Sequence, residues 1–180
     1  MTSPIQTATA TLHTNRGDIK IALFGNHAPK TVANFVGLAQ GTKDYSTENA
    51  SGGSSGPFYD GVIFHRVIDG FMAQTGDVQF GKETGDGYNA AQAGMGGSDK
   101  PDLPAEFSDS ETFDRGTVGM ARSQNPNSAN SQFFIMFKPG HFLNGQYTVY
   151  GRVISGMEHV DAITKGEPPA KPDRMISVKV

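Results

Sequence analysis

One stretch decides the fold, Val62-Ile63-Phe64-His65-Arg66-Val67-Ile68-Asp69-Gly70-Phe71-Met72-Ala73-Gln74-Thr75-Gly76-Asp77. Its first seven residues are apolar on both faces of an extended chain, which is typical of a strand that is covered on both sides or flanks a ligand site. Because side chains alternate along a strand, Phe64, Arg66 and Ile68 are predicted to share one face. His65 is predicted to point to the other face as a structural residue.

A second run, Gln132-Phe133-Phe134-Ile135-Met136-Phe137, has the same character. Alternation predicts that its even-numbered residues lie together on one face and that its odd-numbered residues turn into the core. Asp18 to Phe24 alternates more clearly and predicts a half-exposed strand with Ile19, Ile21 and Leu23 on its buried face. Further strands are predicted over residues 9–14, 117–121, 147–154 and 175–180. Twenty-three glycines and ten prolines separate these runs, as in a mainly β fold with many turns.

Two segments have a helical period instead. Pro29 to Gln40 predicts a short amphipathic helix whose apolar stripe is Val32, Phe35, Val36 and Ala39. Ser155 to Lys165 predicts a second helix, since Ser155 and Glu158 have the spacing of a capping box. Both helices are expected to cover the open ends of a barrel.

Composition limits the classes of function. The chain has 180 residues, a net charge of -3 and no cysteine. Residues 9–180 are predicted to form one domain after a flexible lead over residues 1–8. The charge disfavours nucleic acid as a partner, and no run is long and apolar enough to cross a bilayer. We expect a cytoplasmic protein that has no disulfides and does not bind membranes.

Several motifs are discounted. Gly52 to Gly56 matches G-x-S-x-G and Gly85 to Ala90 matches G-x-G-x-x-A, but neither lies between a strand and a helix. Both fall in Gly-rich stretches, Asn49 to Pro57 and Gly76 to Gly97, that are predicted to be surface loops. The five histidines are scattered without metal-ligand spacing. We therefore expect no metal and no cofactor.

The stretch from Phe64 to Asp77 resembles the F-H-R-x-I-x-G-F-M-x-Q-x-G-D motif of the cyclophilins, which are peptidyl-prolyl cis-trans isomerases. Three more segments follow in the order of that family: Gly119-Met120-Ala121-Arg122, Asn130-Ser131-Gln132-Phe133-Phe134-Ile135 and Phe142-Leu143-Asn144-Gly145-Gln146-Tyr147. The similarity covers the chain from about Thr9 to Val180. It implies a closed eight-stranded antiparallel β-barrel capped by two α-helices.

The resemblance also implies the site residues. Arg66 would be the main catalytic residue, Gln74 would orient the substrate backbone, and Phe71 would line the proline pocket. The residues that would bind substrate are Met72, Gly94, Ala121, Arg122, Gln132, Phe134, Phe142, Leu143 and Tyr147. Because Phe71 and Gln74 lie three apart and cannot share a face of a regular strand, Gly70 or Gly76 is predicted to mark a bend.

Three positions depart from the common family pattern. Phe142 stands where many cyclophilins have tryptophan, so the indole N–H is missing and cyclosporin-like ligands are expected to bind weakly. Tyr147 replaces a frequent histidine, and Arg122 stands where asparagine is common in eukaryotic members. These changes concern ligand preference more than catalysis.

The implied reaction suits these residue types. Rotation about an X-Pro bond meets a barrier of roughly 18 to 20 kcal/mol but breaks no bond, so it needs neither a nucleophile nor a metal. A guanidinium such as that of Arg66 can donate a hydrogen bond towards the amide nitrogen, which regains its lone pair as the bond twists. One such bond contributes about 1.5 to 3 kcal/mol, whereas ten-thousand-fold acceleration needs about 5.5 kcal/mol. The phenylalanines must therefore supply an apolar pocket that favours the less polar twisted amide.

Two other classes of function remain open at this point. The same groove would serve a non-catalytic module that binds proline peptides, although the presence of Arg66 argues against it. A holdase chaperone would expose a broad apolar patch, and no surplus apolar run exists to build one. The expected partners are proline-containing peptides and unfolded or folding proteins, and the expected state is a monomer.

Overall fold

The computed structural model describes residues 7–40, 59–77, 103–107, 112–122, 125, 127–166, 169 and 171–180. Its eight strands are β1 (Ala8–Thr14), β2 (Gly17–Leu23), β3 (Val62–Ile68), β4 (Met72–Thr75), β5 (Thr117–Met120), β6 (Phe133–Met136), β7 (Val149–Ser155) and β8 (Arg174–Lys179). They close into a barrel in the order β1-β2-β7-β5-β6-β4-β3-β8. Each neighbouring pair is antiparallel. The predicted closed eight-stranded barrel is confirmed.

The barrel interior is filled by every second residue of the strands. Phe133 and Ile135 of β6 point into it, and so does Phe137 just after the strand, as the alternation predicts. Burying one such side chain stabilises the fold by about 1.5 to 3 kcal/mol. At the centre four aromatic rings pack with neighbouring centroids 5.4 to 6.4 Å apart: Phe35, Tyr59, Phe133 and Tyr150.

Helix α1 (Pro29–Gln40) covers part of this core, and its bounds are those predicted. Val32, Phe35 and Ala39 are buried, which confirms most of the apolar stripe. The first turn is capped from a distance by Glu106, whose carboxylate accepts hydrogen bonds from the backbone N–H of Lys30 at 3.1 Å and of Thr31 at 2.7 Å. A carboxylate at a helix N-terminus satisfies free N–H groups and complements the helix dipole.

Helix α2 (Met157–Asp161) is shorter than predicted, and the predicted capping box is wrong. Ser155 ends β7, and the N-cap is Gly156, which makes no side-chain cap hydrogen bond. Gly156 has φ 87°, and a Cβ there would collide with the backbone oxygen of Asp18. The close approach of the Asp18 backbone therefore requires glycine at the N-cap of α2. Ser155 lies one residue before this position and cannot cap the helix.

Strand β3 contains a β-bulge at His65 that changes which residues share a face. Phe64 pairs with Thr75 and Arg66 pairs with Gln74, so two steps on β3 match one step on β4. Phe64 consequently lies in the interior, whereas Arg66 is exposed on the outer face. The prediction that Phe64 and Arg66 share a face is wrong, because one extra residue reverses the period of two.

A second apolar cluster, called the outer cluster, covers the outer face of β4 and β6. Phe134 and Met136 belong to it, since they alternate with the interior residues of β6. Its buried members are Ala22, Phe24, Met72, Phe113, Phe134, Met136, Leu143 and Val149, and the half-buried residues packed against it are Ile68, Phe71, Ala121 and Tyr147. Strand β6 is therefore covered on both faces, as predicted, whereas the outer face of β3 is left open at Arg66 and only Ile68 packs against the cluster. In strand β2, which was predicted to be half exposed, exposed and buried residues alternate only in the first part of the strand. Its later outer-face residue Ala22 is buried in the outer cluster.

The remaining differences concern element ends. Strand β1 begins one residue before the predicted start at Thr9, and β7 begins at Val149, so Tyr147 precedes it. The stretch Asn49 to Pro57 and most of Gly76 to Gly97, both predicted as loops, lie outside the described residues. Within the part of the chain that is described, no helix has the length and apolar character to span a membrane.

Candidate active site

Strand register aligns the main predicted site residues in one row. Arg66 of β3 lies opposite Gln74 of β4, Gln74 lies opposite Phe134 of β6, and Phe134 lies opposite Gly119 of β5. Directly opposite residues face the same side of a sheet, with Cβ atoms about 4.5 to 5.5 Å apart. A cation, an amide and an apolar ring thus lie side by side on the outer face. The bulge at His65 makes this possible, because it turns Arg66 outward.

The polar part of the row is held by a hydrogen bond between two amides. Gln74 donates from Nε2 to Oε1 of Gln132 at 2.9 Å. Gln132 is buried and precedes β6, where its carbonyl oxygen accepts from the backbone N–H of Ala121 at 3.0 Å. The two glutamines therefore form one fixed polar pair at the edge of the apolar outer cluster.

The apolar part of the row rests on Phe113. The rings of Phe113 and Phe134 stack with centroids 5.7 Å apart and an interplanar angle of 19°. Tyr147 meets both rings edge-on, at 5.8 Å from Phe134 and 6.4 Å from Phe113. Gly119 makes room for the stack, because a Cβ there would lie 2.7 Å from Phe113 and 2.8 Å from Phe134. Met72 and Leu143 are buried in the same cluster.

Phe71 and Phe142 lie at the border of the outer cluster. Phe71 lies in the turn between β3 and β4, where its backbone N–H donates to Ile68 and the preceding Gly70 has φ 72°. The predicted bend is therefore present at Gly70, and Phe71 stands outside β4. The rings of Phe71 and Phe142 have centroids 5.7 Å apart, and Phe142 is 74% exposed. An accessible aromatic pair thus adjoins the buried outer cluster.

His65, the bulge residue next to Arg66, is buried and uncharged at neutral pH. Its side chain is buried, and burial lowers the pKa of the imidazole to about 4; Asp77 opposes this shift, the Arg66 charge adds to it, and the Gln132 amide opposes it. An imidazole with this pKa carries no charge at neutral pH. The cationic character of the row at neutral pH therefore comes from Arg66.

This buried imidazole predicts that acid weakens the fold. The pKa falls from 6.5 in the unfolded chain to about 4 in the folded chain, so between these values the unfolded chain binds a proton that the native chain does not. Stability that is full above pH 6.5 is lost as the pH falls towards 4, by about 3 kcal/mol. Urea unfolding from pH 7 to 4.5 should show a smaller loss in His65→Gln than in the unchanged chain. Equal losses in both proteins would contradict the assignment.

The structure describes every predicted site residue except Gly94, which lies outside the described residues. It brings Arg66, Gln74, Gln132 and Phe134 together and adds Met72, Leu143 and Tyr147 through the outer cluster. Sequence reasoning placed Ile68 with Arg66 and Met136 with Phe134, but it missed Phe113 as part of the same surface. Phe113 is an isolated aromatic residue between polar neighbours, so no periodic pattern marks it.

The described ranges contain no group of three or more His, Cys, Asp or Glu side chains placed to hold a metal ion. The site that is described combines a guanidinium, two amides and an apolar cluster. Such an arrangement can bind a peptide backbone and desolvate one of its side chains.

Residues 9–180 match the family model described as "Cyclophilin type peptidyl-prolyl cis-trans isomerase/CLD". The chain is 54% identical over 165 residues to peptidyl-prolyl cis-trans isomerase A of Mycobacterium tuberculosis, covering 91% of this chain and 84% of that protein. It is 53% identical over 177 residues to a probable peptidyl-prolyl cis-trans isomerase of Brucella melitensis, covering 96% of this chain and 82% of that protein.

Solved structures have the same barrel. A Cryptosporidium parvum cyclophilin type peptidyl-prolyl cis-trans isomerase, crystallised in the presence of the dipeptide Ala-Pro, superposes with a TM-score of 0.74 at 29% identity and covers 96% of this chain and 98% of its own. A cyclophilin from Hirschia baltica gives 0.73 at 23% identity, with 99% and 75% coverage. The second likeness concerns the fold alone.

Proposed function

This chain belongs to the cyclophilin-type peptidyl-prolyl cis-trans isomerases and accelerates rotation of X-Pro peptide bonds, and we propose that Arg66, Gln74 and Phe134 carry out the reaction. The observation that supports this assignment is the register that aligns these three residues beside the outer cluster. Neither a nucleophile nor a metal is needed, because no covalent bond is broken.

Arg66 is assigned the role of catalytic cation. As the X-Pro bond twists, its nitrogen regains a lone pair, and the guanidinium donates a hydrogen bond towards it while holding the neighbouring carbonyl. This interaction exists in the twisted state and not in either planar form. It therefore lowers the barrier rather than merely tightening binding.

The proline ring of the substrate is assigned to a pocket over Phe134. The outer cluster buries Phe134, Met72 and Leu143. The stack with Phe113 holds the Phe134 ring in a fixed position. A pocket of this kind strips water from the amide, and the twisted amide tolerates that loss better because it is less polar. Because the proline ring of the substrate is held in place, rotation about the X-Pro bond moves the chain that precedes proline.

The residues around the pocket are assigned to the flanking substrate backbone. Gln74 and Gln132 form a fixed amide pair, and Ala121 is tied to Gln132 through its backbone. Phe71, Phe142 and Tyr147 border the opening. The roles of Gly94 in the groove wall and of Arg122 beside Ala121 stay predictions from the family pattern.

The proposed substrates are proline-containing peptides and unfolded or folding proteins. The Cryptosporidium relative crystallised in the presence of Ala-Pro supports proline-containing peptides as substrates. Action in the cytoplasm, a monomeric state and weak binding of cyclosporin-like ligands also stay predictions.

An exchange assay tests the function directly. We expect the chain to speed cis/trans exchange of an Ala-Pro peptide from tens or hundreds of seconds to within about a second, measured by NMR exchange or protease coupling. Peptide-induced shifts without any acceleration would identify a non-catalytic binding module. Suppressed aggregation of unfolded protein without acceleration would identify a holdase.

A further inference from the structure

Residues 140–144, called the clamp segment, hold the backbone of Phe113 at two points. The carbonyl oxygen of Phe113 accepts a hydrogen bond from the backbone N–H of Gly140 at 2.7 Å. The N–H of Phe113 donates to Oδ1 of Asn144 at 2.8 Å. Both ends of the clamp segment are therefore bonded to the residue whose ring stacks on Phe134.

The clamp segment carries two of the residues that are assigned to the substrate. Leu143 is buried with Phe134 in the outer cluster, and Phe142 beside it is exposed. Within the segment, His141–Leu143 forms one turn of 3-10 helix, and the N–H of Leu143 donates to the carbonyl oxygen of Gly140 at 3.0 Å. A single helical turn is weak in isolation. The position of the segment therefore depends on its bonds to the rest of the fold.

We propose that Asn144 is a positioning residue that holds Leu143 in place beside Phe134. The proposal rests on the proposed function, which assigns Leu143 and Phe134 to the proline ring of the substrate. Asn144 acts through its bond to Phe113 and not by contact with the substrate. Because Phe113 is fully buried, its N–H has a large cost if it is left without an acceptor.

A third contact joins the middle of the clamp segment to Asp114. Nε2 of His141 lies 2.8 Å from Oδ1 of Asp114, and the two side chains are 60% and 47% exposed. An ion pair with this exposure contributes little to stability. The Gly140 bond lies three residues before Leu143, whereas Asn144 follows Leu143 directly. Of these three contacts, the Asn144 bond is therefore the one that fixes Leu143.

Loss of the Asn144 bond is expected to weaken substrate binding. Without this acceptor the end of the clamp segment next to Leu143 is released and takes up several positions. Substrate then binds only the fraction of molecules in which Leu143 lies beside Phe134, and the apparent affinity falls by that fraction. Arg66 lies on β3, outside the clamp segment, so the rotation step itself should change little.

Steady-state kinetics with an Ala-Pro peptide tests the role of Asn144. We expect Asn144→Ala to raise KM about three- to tenfold, as for the net contribution of one hydrogen bond, and to lower kcat less than about twofold. Asn144→Ser, whose side chain is too short to reach Phe113, should raise KM to a similar extent. Asn144→Asp keeps an oxygen acceptor on a side chain of the same shape, so its KM should stay within about twofold of that of the unchanged chain.

Asn15→Ala is the matched control for a general loss of stability. Oδ1 of Asn15 accepts from the backbone N–H of Arg174 at 2.8 Å, which is the same type of bond at the same length, but at the start of β8. Urea unfolding should show a loss of stability in Asn15→Ala, whereas its KM should stay unchanged. An equal rise of KM in Asn15→Ala and Asn144→Ala would overturn the proposal.

Leu143→Ala separates the proposal from the function on which it rests. This variant removes the side chain that Asn144 is proposed to position, so its KM should rise as well. A raised KM in Leu143→Ala with an unchanged KM in Asn144→Ala and Asn144→Ser overturns the role of Asn144 and leaves the pocket assignment intact. An unchanged KM in all of these variants overturns the pocket assignment and the proposal with it. A rise in Asn144→Asp as large as that in Asn144→Ala also overturns the proposal, because the acceptor would then not matter.

Discussion

Arg66→Ala is expected to lower kcat/KM for an Ala-Pro peptide by about 10- to 150-fold. This range corresponds to the 1.5 to 3 kcal/mol of one charged hydrogen bond. Residual activity should remain, because the pocket over Phe134 still desolvates the prolyl amide. NMR exchange or protease coupling measures the loss, and circular dichroism should be unchanged because Arg66 is exposed on the outer face.

Two matched variants separate the role of Arg66 from its charge. Arg66→Lys keeps the positive charge but loses the planar fork, so its activity should lie between those of the alanine variant and the unchanged chain. Arg174→Ala makes the same change at an exposed arginine of β8, the strand next to β3, and should keep full activity. Activity in Arg66→Ala equal to that of the unchanged chain would remove Arg66 from its catalytic role.

Phe113→Ala is expected to reduce the free energy of unfolding by about 3 to 5 kcal/mol, the usual cost of deleting a buried phenylalanine ring. Phe113 is fully buried and carries the Phe134 stack. Its backbone N–H also donates to Asn144 at 2.8 Å, and its carbonyl accepts from Gly140 at 2.7 Å. Removing the ring leaves a cavity below the proline pocket. Urea unfolding measures the loss of stability.

The same variant should weaken substrate binding more than the chemical step. Phe134 would lose its support, whereas Arg66 on β3 would keep its place, so KM should rise more than kcat falls. Phe113→Leu keeps most of the volume and should cost less than about 1.5 kcal/mol. A loss below about 1 kcal/mol in Phe113→Ala, with KM unchanged, would show that the pocket does not depend on this ring.

Much of the fold was predictable from local pattern. The alternation of β6 correctly separated Phe133 and Ile135 from Phe134 and Met136, because a regular strand has a strict period of two. Helix α1 was predicted with its exact bounds by its apolar stripe and terminal residues. The spacing of Phe71 and Gln74 predicted a bend at Gly70 or Gly76, and both glycines have a positive φ, of 72° and 100°.

Predictions failed where the backbone departs from a regular period. The bulge at His65 reverses the faces of β3, and it is created by pairing with β4 rather than by any local preference. The cap of α2 moved from Ser155 to Gly156 because the passing Asp18 backbone leaves no room for a side chain. Both errors arise from contacts between segments that are distant along the chain.

By itself the sequence determined the family, the strand and helix order, and the residue types of the site, since these depend on local periodicity and on ordered motifs. Only the tertiary structure decided that Arg66 faces outward, that Phe113 supports Phe134, and that Arg122 lies over Tyr147. The physical reason is that register, bulges and ring stacking are set by pairing between distant segments, and a one-residue shift moves a side chain from one face of the sheet to the other.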